Sequence, residues 1–112
     1  MADSVFVILS SQDREVLLEV GITYPFNAAA HGWMDEVKII LFGPSEKLAA
    51  TDPEIQDRLQ EAIASGIPVM ACKWCADRME VTPALEALGI EVLYVGTVIS
   101  DLLKAGWASL TF

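Results

Sequence analysis

Cys72 and Cys75 are the only cysteines of the chain, three positions apart in Gly66-Ile67-Pro68-Val69-Met70-Ala71-Cys72-Lys73-Trp74-Cys75-Ala76-Asp77. Thiols are the one reactive chemistry that this sequence concentrates in a single place. A thiolate attacks sulfane sulfur and disulfides, and nearby cations raise the fraction of thiolate. Lys73 and Arg78 are such cations, the dipole of any helical turn after Trp74 acts in the same sense, and Asp77 opposes them. Cys72 is expected to be the nucleophile, against the plainer reading of a buried thiol acting as a small hydrophobe. Cys75 is either its resolving thiol or a packed neighbour. Trp74, between them, is a partner-docking aromatic, a lid over the thiol, or an interface residue.

Cys-x-x-Cys is also half of a zinc site. The remaining ligands would have to come from His31 or a second subunit, and His31 ends the first helical region, at the opposite edge of the sheet from Cys72. No metal and no cofactor is therefore expected, and His31 reads as a solvated or carbonyl-bonded helix-end residue. Gly43-Pro44-Ser45-Glu46-Lys47 lacks the glycines and the Gly-Lys-Ser/Thr ending of a phosphate loop. Trp33 and Trp107 are expected in the core or an interface, and the acidic runs on solvated faces.

The elements that must position the thiols follow from periodicity. Val5-Phe6-Val7-Ile8-Leu9, Val37 to Phe42, Pro68 to Ala71, Glu91 to Val95 and Ala108 to Phe112 are short apolar runs, read as strands covered on both faces. Between the first two, Ser10-Ser11-Gln12-Asp13 offers helix caps, Val16, Leu17 and Val20 form an apolar stripe, and Gly21 with Pro25 implies a kink or two helices meeting near Thr23. Asp52-Pro53-Glu54 and Thr82-Pro83-Ala84 open further helices, and Gly66 and Gly89 close them. A last helix is expected from about Val98 to Ala105.

Strands alternating with helices mean right-handed crossovers and a three-layer α/β/α sandwich with a mostly parallel five-stranded sheet. The expected strand order is 2-1-3-4-5, which opens a crevice beside the ends of strands one and three. There Cys72 would face Ser10, Ser11 and Gln12. The nearest strong helix start after Cys72 is Thr82-Pro83, so a loop or short turn is expected directly after the thiol.

A chain of 112 residues bounds one domain, residues 1–112. Net charge is -9, from 16 acidic and 7 basic residues, which repels a phosphate backbone and argues against nucleic acid as a partner. No apolar run approaches the roughly 18–20 residues of a membrane helix. Met1-Ala2-Asp3-Ser4 has no basic leader segment, so a cytoplasmic protein with reduced thiols is expected. A hydrophobic fraction of 54% and a mean hydropathy of +0.44 point to a covered subunit interface and hence a homo-oligomer.

Several segments taken together resemble the DsrE/DsrF-like family of small sulfur-handling proteins. They are the Phe42-Gly43-Pro44-Ser45-Glu46 turn, the Ala71 to Asp77 segment with its two cysteines, Leu88-Gly89-Ile90-Glu91-Val92 with Tyr94 and Gly96, and the ending Gly106 to Phe112. The resemblance implies a five-stranded sheet whose last strand is antiparallel, and assembly as a dimer, trimer or hexamer. It implies a sulfur relay in which Cys72 carries a persulfide between a donor and an acceptor protein. Two other uses of the same fold stand beside it, a non-catalytic oligomeric binding module and a Cys72–Cys75 redox switch. Where family members commonly have Arg-Gly or Leu-Gly, this chain has Met79-Glu80, which is expected to alter the turn after the thiol.

Overall fold

Strand β1, Ser4–Leu9, buries Val5, Phe6, Val7 and Leu9, as an apolar run covered on both faces must. The computed structural model describes residues 3–112. After β1 the chain makes a turn of α-helix, α1 (Arg14–Val16), a π-helical turn (Leu17–Gly21), and α2 (Thr23–Ala30). Of the possible caps, Asp13 is used, and its carboxylate accepts from the backbone of Glu15 and Val16. The widened π turn shifts the phase of the helix face: Leu17 and Leu18 are buried, whereas Val20 is 44% exposed. The stripe of Val16, Leu17 and Val20 assumed an unbroken α period and is corrected accordingly. Gly21 closes the π turn against β1, where an added Cβ would lie 2.5 Å from Leu9 Cδ2.

The remaining elements are β2 (Glu36–Leu41), α3 (Ser45–Thr51), α4 (Pro53–Ala64), β3 (Val69–Cys72), α5 (Lys73–Arg78), α6 (Thr82–Ala87), β4 (Glu91–Leu93), α7 (Val95–Lys104) and β5 (Ala108–Thr111). All strand pairs are parallel. Two expectations fail here. The order is β4-β3-β2-β1-β5 rather than 2-1-3-4-5, and β5 runs parallel to β1, with Val5 opposite Ala108 and Ile8 opposite Thr111.

The physical reason lies in crossover handedness. Each step from β1 to β2 to β3 to β4 moves one strand in the same direction. Right-handed crossovers then place every connecting helix on one face of the sheet. Leu17, Leu18, Ala28, Ala49, Ile55, Leu59, Ala62 and Leu85 form one core there with Val7, Ile39 and Ala71. The return from β4 to the far side of β1 reverses direction, so α7 crosses the other face. Its Val95, Val98, Ile99 and Leu102 pack over Phe6, Ile40, Met70 and Cys72. An amphipathic helix has the same periodicity on either face, so the pattern of apolar residues could not separate the two orders. A parallel β5 follows from α7 carrying the chain back along the full strand.

Five helix ends share one geometry. The backbone N–H two residues past the cap reaches back to a carbonyl five residues earlier, as in Trp33 to Ala28, Ile67 to Ala62, Val81 to Ala76, Ile90 to Leu85 and Trp107 to Leu102. This motif needs a residue with positive φ. Four of the five ends use glycine there. The fifth, after α5, uses Glu80 at φ 59, the only non-glycine of that kind among the described residues. The departure at Met79-Glu80 thus leaves the turn intact and loads it with the strain of an L-residue in the left-handed region.

Candidate functional site

Cys72 is the last residue of β3, as expected, but α5 begins directly after it at Lys73. The expectation of a loop or short turn after the thiol is corrected to a six-residue helix: Cys72 is the N-cap of α5, and Cys75 lies one turn along it. No Ser, Thr, Asp or Asn marks this start, because a buried cysteine stands at the cap position, and the sequence signal was therefore absent. Both cysteines are free thiols and buried, Cys72 at 6% and Cys75 at 9% exposure.

The third member of the site was missed from sequence. Glu46, in the first turn of α3, is fully buried. One of its carboxylate oxygens and the two Sγ atoms all lie within 4.8 Å of one another. Gly43 N–H donates to Glu46 Oε2 at 3.1 Å, and the Ser45 hydroxyl donates to the Leu9 carbonyl. These two bonds pin the turn between β2 and α3 beneath the thiols. No well-formed hydrogen bond reaches Oε1, the one buried side-chain polar atom without a partner among the described residues. The available signal was the motif itself, an acid three residues after Gly43 at a strand exit.

Burial pushes the Glu46 carboxyl up to about 7, and Gly43 N–H, the Cys75 thiol and Cys72 N–H offset this only in part. Burial likewise raises the Cys75 thiol to about 11, with Cys72 and the Glu46 charge acting in the same direction. Near neutral pH the Cys75 thiol is therefore protonated and the Glu46 carboxyl partly so. Two thiols and a carboxylate are also donors that a zinc-sized ion accepts, but a cation would have to expel the protons held by Cys75 and Glu46.

The cluster opens to solvent through Cys75. A cavity of about 510 Å³ at the carboxyl edge of the sheet is lined by Gln12, Gly43, Pro44, Lys47, Trp74, Cys75, Arg78 and their neighbours. The expected supporting residues divide here. Gln12 lines the cavity, whereas Ser10 and Ser11 do not face Cys72, because β2 lies between β1 and β3. Their backbone N–H groups instead donate to the Phe112 carbonyl, at 2.7 and 3.2 Å, and fasten the end of β5 to β1. Lys73 Nζ is paired with Asp77 at 2.7 Å, and Arg78 lies over the Trp74 ring, 5.2 Å from its centroid. Both cations have partners other than the thiols. Trp74 is 60% exposed at the cavity mouth. His31 stacks on Trp33 at 5.2 Å, at the end of α2 and apart from this cluster. Trp33 is 59% exposed rather than in the core, and Trp107 is half-buried beneath Lys38, 5.5 Å from the ring centroid.

The conserved protein BT1422 of Bacteroides thetaiotaomicron, of unknown function, is similar over 98% of this chain and 95% of its own, with a TM-score of 0.93 and 30% identity. MTH1491 of Methanobacterium thermoautotrophicum, also of unknown function, superposes with a TM-score of 0.76 at 20% identity, covering 97% of each chain. The ychN protein of E. coli does so with a TM-score of 0.76 at 17% identity over 100% of both chains. The latter two show the shared fold alone. No curated protein matches this sequence. The model of the DsrE/DsrF-like family matches residues 22–112, a span holding Glu46 and both cysteines, and the chain belongs to that family.

Proposed function

We propose that the protein is a sulfur carrier, in which Cys72 accepts a sulfane sulfur from a donor protein as a persulfide and passes it to the thiol of an acceptor protein. The observation that carries this reading is the position of Cys72, at the end of β3 against a buried carboxyl and a second thiol, Cys75, that lines an open cavity. Membership of the DsrE/DsrF-like family supports sulfur handling in general terms. The transfer needs no net redox change: the acceptor thiolate attacks the outer sulfur, the sulfur–sulfur bond breaks, and Cys72 leaves as thiolate. Intact-mass spectrometry after treatment with polysulfide tests it. A gain of one sulfur atom that is lost in Cys72→Ser and kept in Cys75→Ser is expected, and no adduct from any donor sinks the carrier role.

A second reading, a Cys72–Cys75 redox switch, is favoured by the helix start at Lys73, which brings the two Sγ within 4.8 Å of each other. Closing that bond gives up two electrons and two protons to an oxidant such as a partner disulfide. Loss of two hydrogens from the intact mass under a mild disulfide oxidant, with alkylation blocked, would promote it over the carrier. We further propose that the protein is cytoplasmic and a homo-oligomer. Trp33 (59%), Leu103 (54%) and Leu110 (41%) are exposed, and no described helix is long and apolar enough to cross a membrane. Light scattering should then return at least twice the chain mass of 12.2 kDa.

A further inference from the structure

A fully buried carboxyl with an oxygen that no well-formed hydrogen bond reaches is costly to keep. Glu46 is such a group, and one of its carboxylate oxygens lies within 4.8 Å of the Sγ of both cysteines. We propose that Glu46 is the proton carrier of the thiol site, taking the Cys72 proton when sulfur is loaded and returning it when sulfur is discharged. This deepens the sulfur-carrier reading and rests on it.

The steps balance as follows. On loading, the Cys72 sulfur attacks the outer sulfur of a donor persulfide. The new S–S bond forms, the donor's S–S bond breaks, the donor leaves as thiolate, and the Cys72 proton moves to the Glu46 carboxylate. On discharge, an acceptor thiolate attacks the outer sulfur, and Cys72 departs as thiolate and recovers the proton from the Glu46 carboxyl. One proton thus cycles inside the protein, and no water has to enter the buried side of the cluster to supply or remove it.

The surroundings leave this role to Glu46. From β3 and α5 the groups facing it are the two thiols. Lys73 is paired with Asp77 and Arg78 covers Trp74. Lys47, next to it on α3, points into the cavity wall and is exposed. Asp52, which caps α4, is held by Arg14 at 2.8 Å, and Glu86 of α6 is exposed. Burial sets the carboxyl near 7, where it can both take and give a proton at neutral pH.

The test compares native protein with Glu46→Gln, which keeps the acceptor for Gly43 N–H and cannot ionise. Persulfide formation on Cys72 from polysulfide is followed by mass spectrometry from acid to alkaline pH. General acid–base help is typically worth 10²–10⁴-fold, so loading at neutral pH is expected to fall at least tenfold. An inflexion near the carboxyl's pH should be present in native protein, absent in Glu46→Gln and restored in Glu46→Asp. Equal rates and equal profiles would overturn the assignment. If native protein takes up no sulfur, the carrier reading falls instead, and the pH profile of iodoacetamide alkylation in the same proteins decides the role of Glu46 separately. Should Glu46→Gln not fold, infrared difference spectra of native protein serve. A protonated-carboxyl band should appear on loading and vanish on discharge, and its absence counts against the proposal. Stoichiometric zinc uptake that requires Glu46 would also overturn it, by making the carboxylate a ligand.

Discussion

Replacing Glu46 by glutamine should change how stability depends on pH, and the size of the change follows from the burial of one side chain. In the unfolded chain this carboxyl titrates near 4.5, and in the folded protein near 7. The folded state therefore binds more protons between those values, and stability falls as pH rises through the window. The contribution of the neutral carboxyl is complete below about pH 4.5 and is lost by about pH 7. A rise from 4.5 to about 7 corresponds to about 3 kcal/mol. The Glu46→Gln protein would have no such dependence. The substituted amide keeps the bond from Gly43 but places N–H groups near the thiols, at a cost of about 1–3 kcal/mol that does not vary with pH. The absolute stabilities of the two proteins can fall in either order, so the slope is the informative quantity. Urea denaturation across the window from pH 4.5 to about 7 measures it, and subtracting one protein from the other cancels every contribution that the two share. Native protein should lose about 3 kcal/mol relative to Glu46→Gln across the window. A difference that stays constant would show that Glu46 ionises as it does in water, and the buried-acid account of the site would be wrong.

Gly21→Ala should destabilise the fold by about 1–3 kcal/mol in thermal or urea unfolding, because the added Cβ would lie 2.5 Å from Cδ2 of the fully buried Leu9. Unchanged stability would mean the π turn relaxes freely. Glu80→Gly should stabilise by a few tenths to about 1 kcal/mol, since relief of the left-handed strain exceeds the entropy that glycine loses, whereas Glu80→Val should destabilise, and equal stability of the two variants would contradict the φ of 59. In Cys72→Ser protein, alkylation of Cys75 should be slow at pH 7 and rise about tenfold per pH unit well into the alkaline range, because burial, the largest cause of its raised value of about 11, survives the substitution. Fast alkylation at neutral pH would refute that assignment.

Element types were legible because each depends on nearby residues. The strand of Pro68 to Ala71 ending at Cys72, the cap at Asp52 and the glycine after α4 all act within a few positions. Strand order was not legible, since it is fixed by which face of the sheet each helix covers, and Leu59 or Leu102 has the same spacing signature on either. The misplaced neighbours of Cys72 followed from that single error. With β2 between β1 and β3, the turn facing the thiol is Gly43 to Glu46 rather than Ser10 to Gln12. Gln12 alone reaches the cavity, by virtue of the longer excursion after β1. Glu46 escaped notice because an acid in a first helical turn ordinarily faces solvent and favours the dipole. Its burial is a tertiary fact, set by Ser45 gripping Leu9 and by α5 closing over the turn.

The pairing of β1 with β5 has a consequence for synthesis. Val5 and Ala108 are register partners, so the outer edge of the first strand made stays unpaired until nearly the whole described chain has left the ribosome. Strands β1 to β4 can assemble in order as they emerge, each beside its predecessor. Through that interval Val5 to Ile8, an apolar strand with open backbone donors and acceptors, is the most adhesive part of the nascent protein. A ribosome-stalled or truncated chain lacking Ala108–Thr111 should therefore be held by chaperones or aggregate through that edge. Once Ala108–Thr111 has emerged, the chain covers the edge with its own strand and secures it by the clasp from Ser10 and Ser11 to Phe112.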